Sequence, residues 1–210
     1  MNQVHVGAPR APRAVAPAVR APSLSTQLWS LDWTRILPFQ FDDVSVEIAT
    51  FADAAPFIEE HYPKFFAHED DGVKFLREPM TEAKRRFSEL SDVFLFRDGE
   101  KKVGVMISHP TDWSTYYLRS SAFLPEYRNR HLLTRFTEAL FAPLAAAGVA
   151  RMETETAPSN LAVQRVMVTC GWVITGTTNS ERWGTLLRAT KFLSDEARAA
   201  FSHQFCLTPR

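Results

Sequence analysis

Glu153 and Glu155 stand at alternate positions in a run, Met152 to Thr156, that reads as a strand, so both carboxylates leave one face. That makes them a candidate proton-accepting pair. His109, beside a turn proline, and Tyr116 or Tyr117, in an aromatic run, are the other candidates. A base must reach the group that it deprotonates directly or through one water, with a pKa near the working pH, and histidine titrates in that range. Arg128, Asn129 and Arg130 suggest a second kind of chemistry, because they follow a strand and precede a helix. The first N–H groups of such a helix lack intrahelical acceptors and point, with the positive end of the dipole, toward the strand's carboxyl end. Backbone donors from about Asn129 to Leu133, flanked by the two arginines, suit a pyrophosphate.

These residues need a scaffold. Val44, Val46 and Ile48 alternate with Ser45, Glu47 and Ala49, which predicts a strand with one buried face. Ala54, Phe57, Ile58, Tyr62 and Phe65 then recur at helical spacing, with Asp53 a candidate N-cap, Pro56 tolerated in the first turn and Pro63 expected to kink or end the helix. Thr81 caps a second helix through Phe87 and Leu90. Val93 to Phe96 and Val103 to Ile107 flank Asp98-Gly99, a hairpin signal, and Thr115 to Leu124 reads as a longer strand. His131 to Ala147 is helical, with Leu132, Phe136, Leu140 and Leu144 every fourth residue and Gly148 at its end. Met152 to Thr156 is extended, and Pro158, Ser159 and Asn160 open a helix that Gly171 closes. Two strands, Trp172 to Thr175 and Arg182 to Leu187, and a short helix capped by Ser194 complete the chain. The order βααβββαβαββ implies a mixed α/β sheet of about seven strands with helices on both faces, the fourth and fifth strands being parallel neighbours.

Of 210 residues, 45% are hydrophobic, which suits one compact domain, expected over residues 28–210, behind an Ala/Pro/Arg-rich tail, 1–27, expected to be disordered. Formal charge is zero. No global field draws the chain to nucleic acid or an anionic membrane. Arg10, Arg13 and Arg20 precede the first acid, Asp32, so the folded part is mildly acidic. Cys170 and Cys206 form no metal-binding spacing, and Cys170, on an apolar helix face, reads as a small hydrophobe. With no apolar run of about 20 residues to cross a bilayer, a cytoplasmic location is expected.

The element order resembles the GNAT acyltransferase fold, and four local signals agree in register. Val103-Gly104 is similar to that family's "V-G" hairpin strand. Phe123-Leu124-Pro125-Glu126-Tyr127-Arg128-Asn129-Arg130 is similar to its V-x-P-x-Y-R-G-R strand end and cofactor loop. Asn160 stands where the family starts a helix with asparagine, and the interval to Gly171-Trp172 matches the family's spacing to a "G-F" pair. The resemblance implies a coenzyme A thioester, acetyl-CoA or another acyl-CoA, bound by Phe123, Leu124, Arg128 to Leu133 and Asn160. It also implies direct attack on that thioester by an amine that Glu155, Glu153, His109 or Tyr117 deprotonates. Two departures stand out. His131 and Leu133 fill the family's small-residue positions and are expected to narrow the cofactor pocket. Met167 stands where many members carry a thiol-protonating tyrosine, and a thioether donates no proton. A small-molecule amine acceptor is implied, with an acyl-phosphopantetheine on an acyl carrier protein as the alternative donor and a non-catalytic binding module as a third reading. A homodimer through late strands stays open.

Overall fold

The computed structural model describes residues 22–65, 81–180 and 183–205. Residues 1–21 of the expected tail lie outside them. Leu24 to Gln27, assigned to that tail, belong instead to a helix, α1 (Leu24–Trp29), followed by α2 (Trp33–Ile36). Ser23 and Ser25 are buried here, and the Leu24 amide donates to Leu90 O, so this segment is part of the domain.

The elements then run β1 (Phe39–Phe41), β2 (Val44–Ala49), α3 (Phe51–Phe65), α4 (Glu82–Glu89), β3 (Asp92–Asp98), β4 (Lys101–Pro110) and β5 (Thr115–Phe123). After them come α5 (Leu132–Ala146), β6 (Arg151–Thr156), α6 (Leu161–Thr169), β7 (Val173–Ser180), β8 (Gly184–Phe192) and α7 (Asp195–Gln204). The sheet has eight strands, not seven, in the order β1-β2-β3-β4-β5-β6-β8-β7. The extra one is β1, which pairs Phe39 with Val46 and Phe41 with Val44. Its three residues are too few to show a period. The last two strands are also longer than their β-rich cores indicate, because their polar residues pair along a ladder from Val173↔Thr190 to Ser180↔Gly184.

Caps explain where the helices begin. The Thr50 hydroxyl accepts from the Asp53 amide while Asp53 accepts from the Thr50 amide, a reciprocal box that makes Thr50 the cap and Asp53 its partner. Thr81 and Ser194 cap as expected, accepting from Lys84 and Ala197. Helices cover both faces. Phe94 meets Trp33 of α2 and Phe136 of α5 edge-on, each at 5.0 Å. On the other face Tyr62 of α3 hydrogen-bonds Ser120 at 3.2 Å, and Phe87 of α4 lies edge-on to His109.

One feature of this sheet creates the site. β5 runs parallel to β6 only from Thr115↔Arg151 to Leu118↔Thr154 and then continues to Phe123 with no neighbour on that side, while β6 follows β8. Arg119 is the pivot: against β4, Leu118 faces Ser108 and Ser120 faces Ile107, so Arg119 is an extra, bulged residue. A bulge bends the strand and re-aims its side chains.

Candidate active site

A cleft of about 320 Å³ fills the gap between β5 and β6. Leu133 and Thr137 of α5, Asn160 at the head of α6, and Val166 and Met167 of α6 line one part. His109, Tyr117, Arg119, Glu155, Trp183 and Leu186 line another. Among the sequence candidates, His109, Tyr117, Glu155, Leu133 and Asn160 thus meet in one cavity.

The head of α5 is an open set of donors. Tyr127 N–H bonds Leu124 O and Arg128 N–H bonds Pro125 O, and the next backbone amide to find an acceptor is Arg135, on His131 O at 2.9 Å. The amides from Asn129 to Thr134 have no backbone partner among the described residues. Asn129 (φ 58°) and His131 (φ 57°) are both left-handed, so His131 precedes the helix and Leu132 begins it, one residue later than the sequence pattern indicates. Alternating right- and left-handed residues turn successive N–H groups toward a common point that binds anions. The imidazole of His131 is exposed rather than packed into the loop, whereas Leu133 is half-buried in the cleft wall.

That loop is anchored by side chains. Tyr127 OH donates to Asp98 at 2.7 Å, Lys101 pairs with Glu126 at 2.9 Å, and Arg130 pairs with Asp43. Arg130 therefore holds the loop to the β1–β2 turn. Arg128 donates through Nε to Phe123 O at 3.1 Å, and its guanidinium stacks 4.8 Å from the Phe65 ring. Phe123, Leu124 and Leu132 act as supports: Phe123 packs edge-on to Phe96, and the other two are buried.

A left-handed histidine carries a penalty that glycine lacks and that β-branched residues suffer most. His131→Val should melt below His131→Gly by the equivalent of about 1–2 kcal/mol in thermal unfolding, the cost of left-handed backbone for a residue with a Cβ. Equal melting of the two variants would contradict the loop conformation.

At the other part of the cleft the proton chemistry is set by burial. His109 Nδ1 lies 3.0 Å from Pro110 O. A carbonyl only accepts, so Nδ1 carries the hydrogen and Nε2 of the neutral ring keeps a lone pair. Burial holds the His109 pKa below the ordinary imidazole value; the bond to Pro110 opposes this and the Arg119 charge adds to it. The ring is neutral at neutral pH. Tyr117, 5.6 Å from it between ring centres, is pushed up to about 12, by burial first and then by the Glu155 charge. It keeps its proton, donating to Glu155 Oε2 at 3.4 Å. Glu155 Oε1 is held by Arg188 through Nε at 3.1 Å and Nη2 at 2.8 Å, two charge-assisted bonds on one oxygen. Glu153 lies outside the cleft lining and pairs with Arg151 at 3.3 Å. Tyr116 is fully buried and donates to Asp92 at 2.9 Å.

Two cleft residues escape a reading of the sequence. Arg119 has no partner signal in sequence because its bulge exists only in register with β4. Trp172 is legible as a strand residue and as half of the Gly171-Trp172 pair but not as part of a site, yet its indole N–H is buried in the cleft wall without an acceptor among the described residues. Asn160 Oδ1 accepts from the Val163 amide at 3.3 Å, capping α6 and leaving the side-chain NH₂ for the cleft. Met167 is buried and lines the cavity as a purely apolar wall.

A parallel strand pair splayed beside an open helix head defines the class of this α/β protein. The chain belongs to the GNAT acetyltransferase family, whose model matches residues 45–172. No curated protein sequence matches it. Among solved structures it is similar to ribosomal-protein-S5-alanine acetyltransferase from Vibrio fischeri, with 16% identity over 76% of this chain and 98% of that one at a TM-score of 0.58. Spermidine N-acetyltransferase from Vibrio cholerae, solved with CoA and spermine, shares 11% identity over 73% and 97%, with a TM-score of 0.57. A GNAT family acetyltransferase from Elizabethkingia anophelis with acetyl-CoA bound shares 11% over 72% and 99%, at 0.54. Among the described residues no helix is long and apolar enough to cross a membrane.

Proposed function

We propose that this chain is an N-acyltransferase that moves an acetyl or other short acyl group from coenzyme A to the amine of a small metabolite by direct attack. The observation that carries this reading is the joining of two features by one cleft. The amides from Asn129 to Thr134, with no backbone acceptor among the described residues, reach the cleft at Leu133, and a neutral His109, whose Nε2 has no partner among the described residues, lines the same cleft.

The residues fit coenzyme A. The α5 amides supply donors for the diphosphate, and Arg128 adds positive charge nearby. The Asn160 NH₂ and the orphan Trp172 N–H are donors for the amide groups of a pantetheine arm, and Leu133, Val166 and Met167 give that arm an apolar wall. When bound, the group supplies an acyl carbonyl activated toward amines. The protein's part is to orient the amine and take its proton. Nε2 of His109 accepts that proton, and Pro110 O stabilises the imidazolium through Nδ1–H. Tyr117, fixed by the Glu155–Arg188 pair, offers an oxygen lone pair to position the amine.

Thiol release from acetyl-CoA, followed colorimetrically across a panel of primary amines, tests the reading. Amine-dependent release with at least one acceptor class is expected. Tight acetyl-CoA binding without release from any amine would instead favour a non-catalytic binding module.

A further inference from the structure

The walls of the acceptor end carry an unequal set of charges. Among the described residues lining the cleft, Glu155 is the carboxylate and Arg119 the guanidinium. Glu155 is already matched by two bonds from Arg188, which stands outside the lining. Arg119 makes no ion pair or hydrogen bond with any described residue. Its side chain is exposed at the bulge where β5 leaves β6, and its charge reaches His109, where it adds to the lowering by burial, and Tyr117 and Tyr62, where it opposes the raising by burial. Among the described residues, the cleft therefore offers one uncompensated positive charge beside the proton acceptor.

A polycationic acceptor gains nothing from such a wall. From this arrangement we infer that the acceptor is an amine bearing a carboxylate near the reacting nitrogen, an amino acid or a close relative, with Arg119 as the residue that holds the carboxylate. The guanidinium presents paired N–H donors that match a carboxylate's two oxygens. Held there, the carboxylate brings the amine toward His109 Nε2, and the same fixed cation disfavours the ammonium form that cannot attack. The Glu155–Arg188 pair serves the same end, since a free Glu155 would repel the acceptor's carboxylate and draw in polyamines. This inference rests on the N-acyltransferase reading and narrows its acceptor.

The test compares free amino acids with their carboxamides, together with spermidine, as acceptors in acetyl-CoA-dependent thiol release. Arg119→Met and Arg119→Lys are measured beside the natural chain. Amino acids should react, with carboxamides and spermidine at least tenfold poorer in kcat/KM. Arg119→Met should raise KM for the acids roughly 10- to 100-fold, the range of a lost charged hydrogen bond, and leave the carboxamides unchanged. Arg119→Lys should recover part of the loss. If carboxamides or spermidine react as well as the acids, or if Arg119→Met affects acids and amides alike, the inference is overturned while the acyltransferase reading stands. A second readout needs no turnover: saturation-transfer NMR on the CoA-loaded chain with N-acetyl amino acids and their amides. Stronger binding of the acids, lost in Arg119→Met, is expected, and equal binding overturns the inference. Absence of CoA binding in the same samples would strike the underlying reading.

Discussion

His109→Gln should lower kcat for amine-dependent thiol release about 100- to 10,000-fold, the span that a positioned general base contributes. Glutamine has a volume close to that of histidine and offers nothing basic to the cleft, so folding should be retained while proton uptake is lost. The pH profile gives the sharper signature. Protonation of Nε2 removes the base, so kcat/KM of the natural chain should fall as pH drops through the His109 pKa. Burial places that pKa below the ordinary 6.5, so the limb lies on the acid side of it. Dividing the natural profile by that of His109→Gln cancels the ionisation of the acceptor and isolates the limb. A variant that keeps both the rate and the limb would move the base to another residue, with Glu155 next in line once Arg188 is removed.

Gly104→Val should produce the largest change in stability. A Cβ at Gly104 would lie 2.5 Å from Phe123 Cδ1, 2.7 Å from its Cε1 and 3.1 Å from Ala122 O. The Phe123 ring is itself wedged edge-on against Phe96 at 4.7 Å. Phe96 in turn meets Phe136 at 5.1 Å. Overpacking of this kind costs about 1–3 kcal/mol, and the branched side chain belongs at the upper end. The damage should reach function, since Phe123 O anchors Arg128 at the start of the loop that leads into α5. Chemical denaturation should show Gly104→Val well below the natural chain and Gly104→Ala between them. Adding Phe123→Ala should recover part of the loss, a non-additivity expected only for residues in direct conflict. Strict additivity would show that Gly104 is small for some other reason.

Much of this architecture was legible because its signals are local. Asp98-Gly99 between β-rich runs gave the hairpin, and Gly99 does take φ 54° there. The apolar period of Leu132, Phe136, Leu140 and Leu144 gave α5, and all four side chains are buried. The crossover rule gave the parallel β5–β6 pair. What stayed hidden depends on strands meeting. The bulge at Arg119, the pairing of Glu155 with Arg188 across β6 and β8, and the diversion of Arg130 to Asp43 all need a register that no single stretch encodes. The same limit explains why the carboxylates looked equivalent in sequence. Glu153 and Glu155 share a strand face, yet the splay puts Glu155 in the cleft and leaves Glu153 with Arg151. The glycine positions of the loop were a different case. Larger side chains at His131 and Leu133 suggested a narrowed entrance, but the left-handed backbone at His131 swings its imidazole into solvent and leaves Leu133 to form a wall.

The amides at the head of α5 are the feature on which cofactor binding depends most directly. Calorimetric titration of the chain with coenzyme A, 3′-dephospho-coenzyme A and pantetheine measures what they hold. Coenzyme A should bind in the micromolar range, with pantetheine, which lacks the diphosphate, weaker by at least about 100-fold, as two or more charge-assisted bonds require. Pantetheine binding as tightly as coenzyme A, or no binding of either, would contradict the anion cradle and the reading built on it.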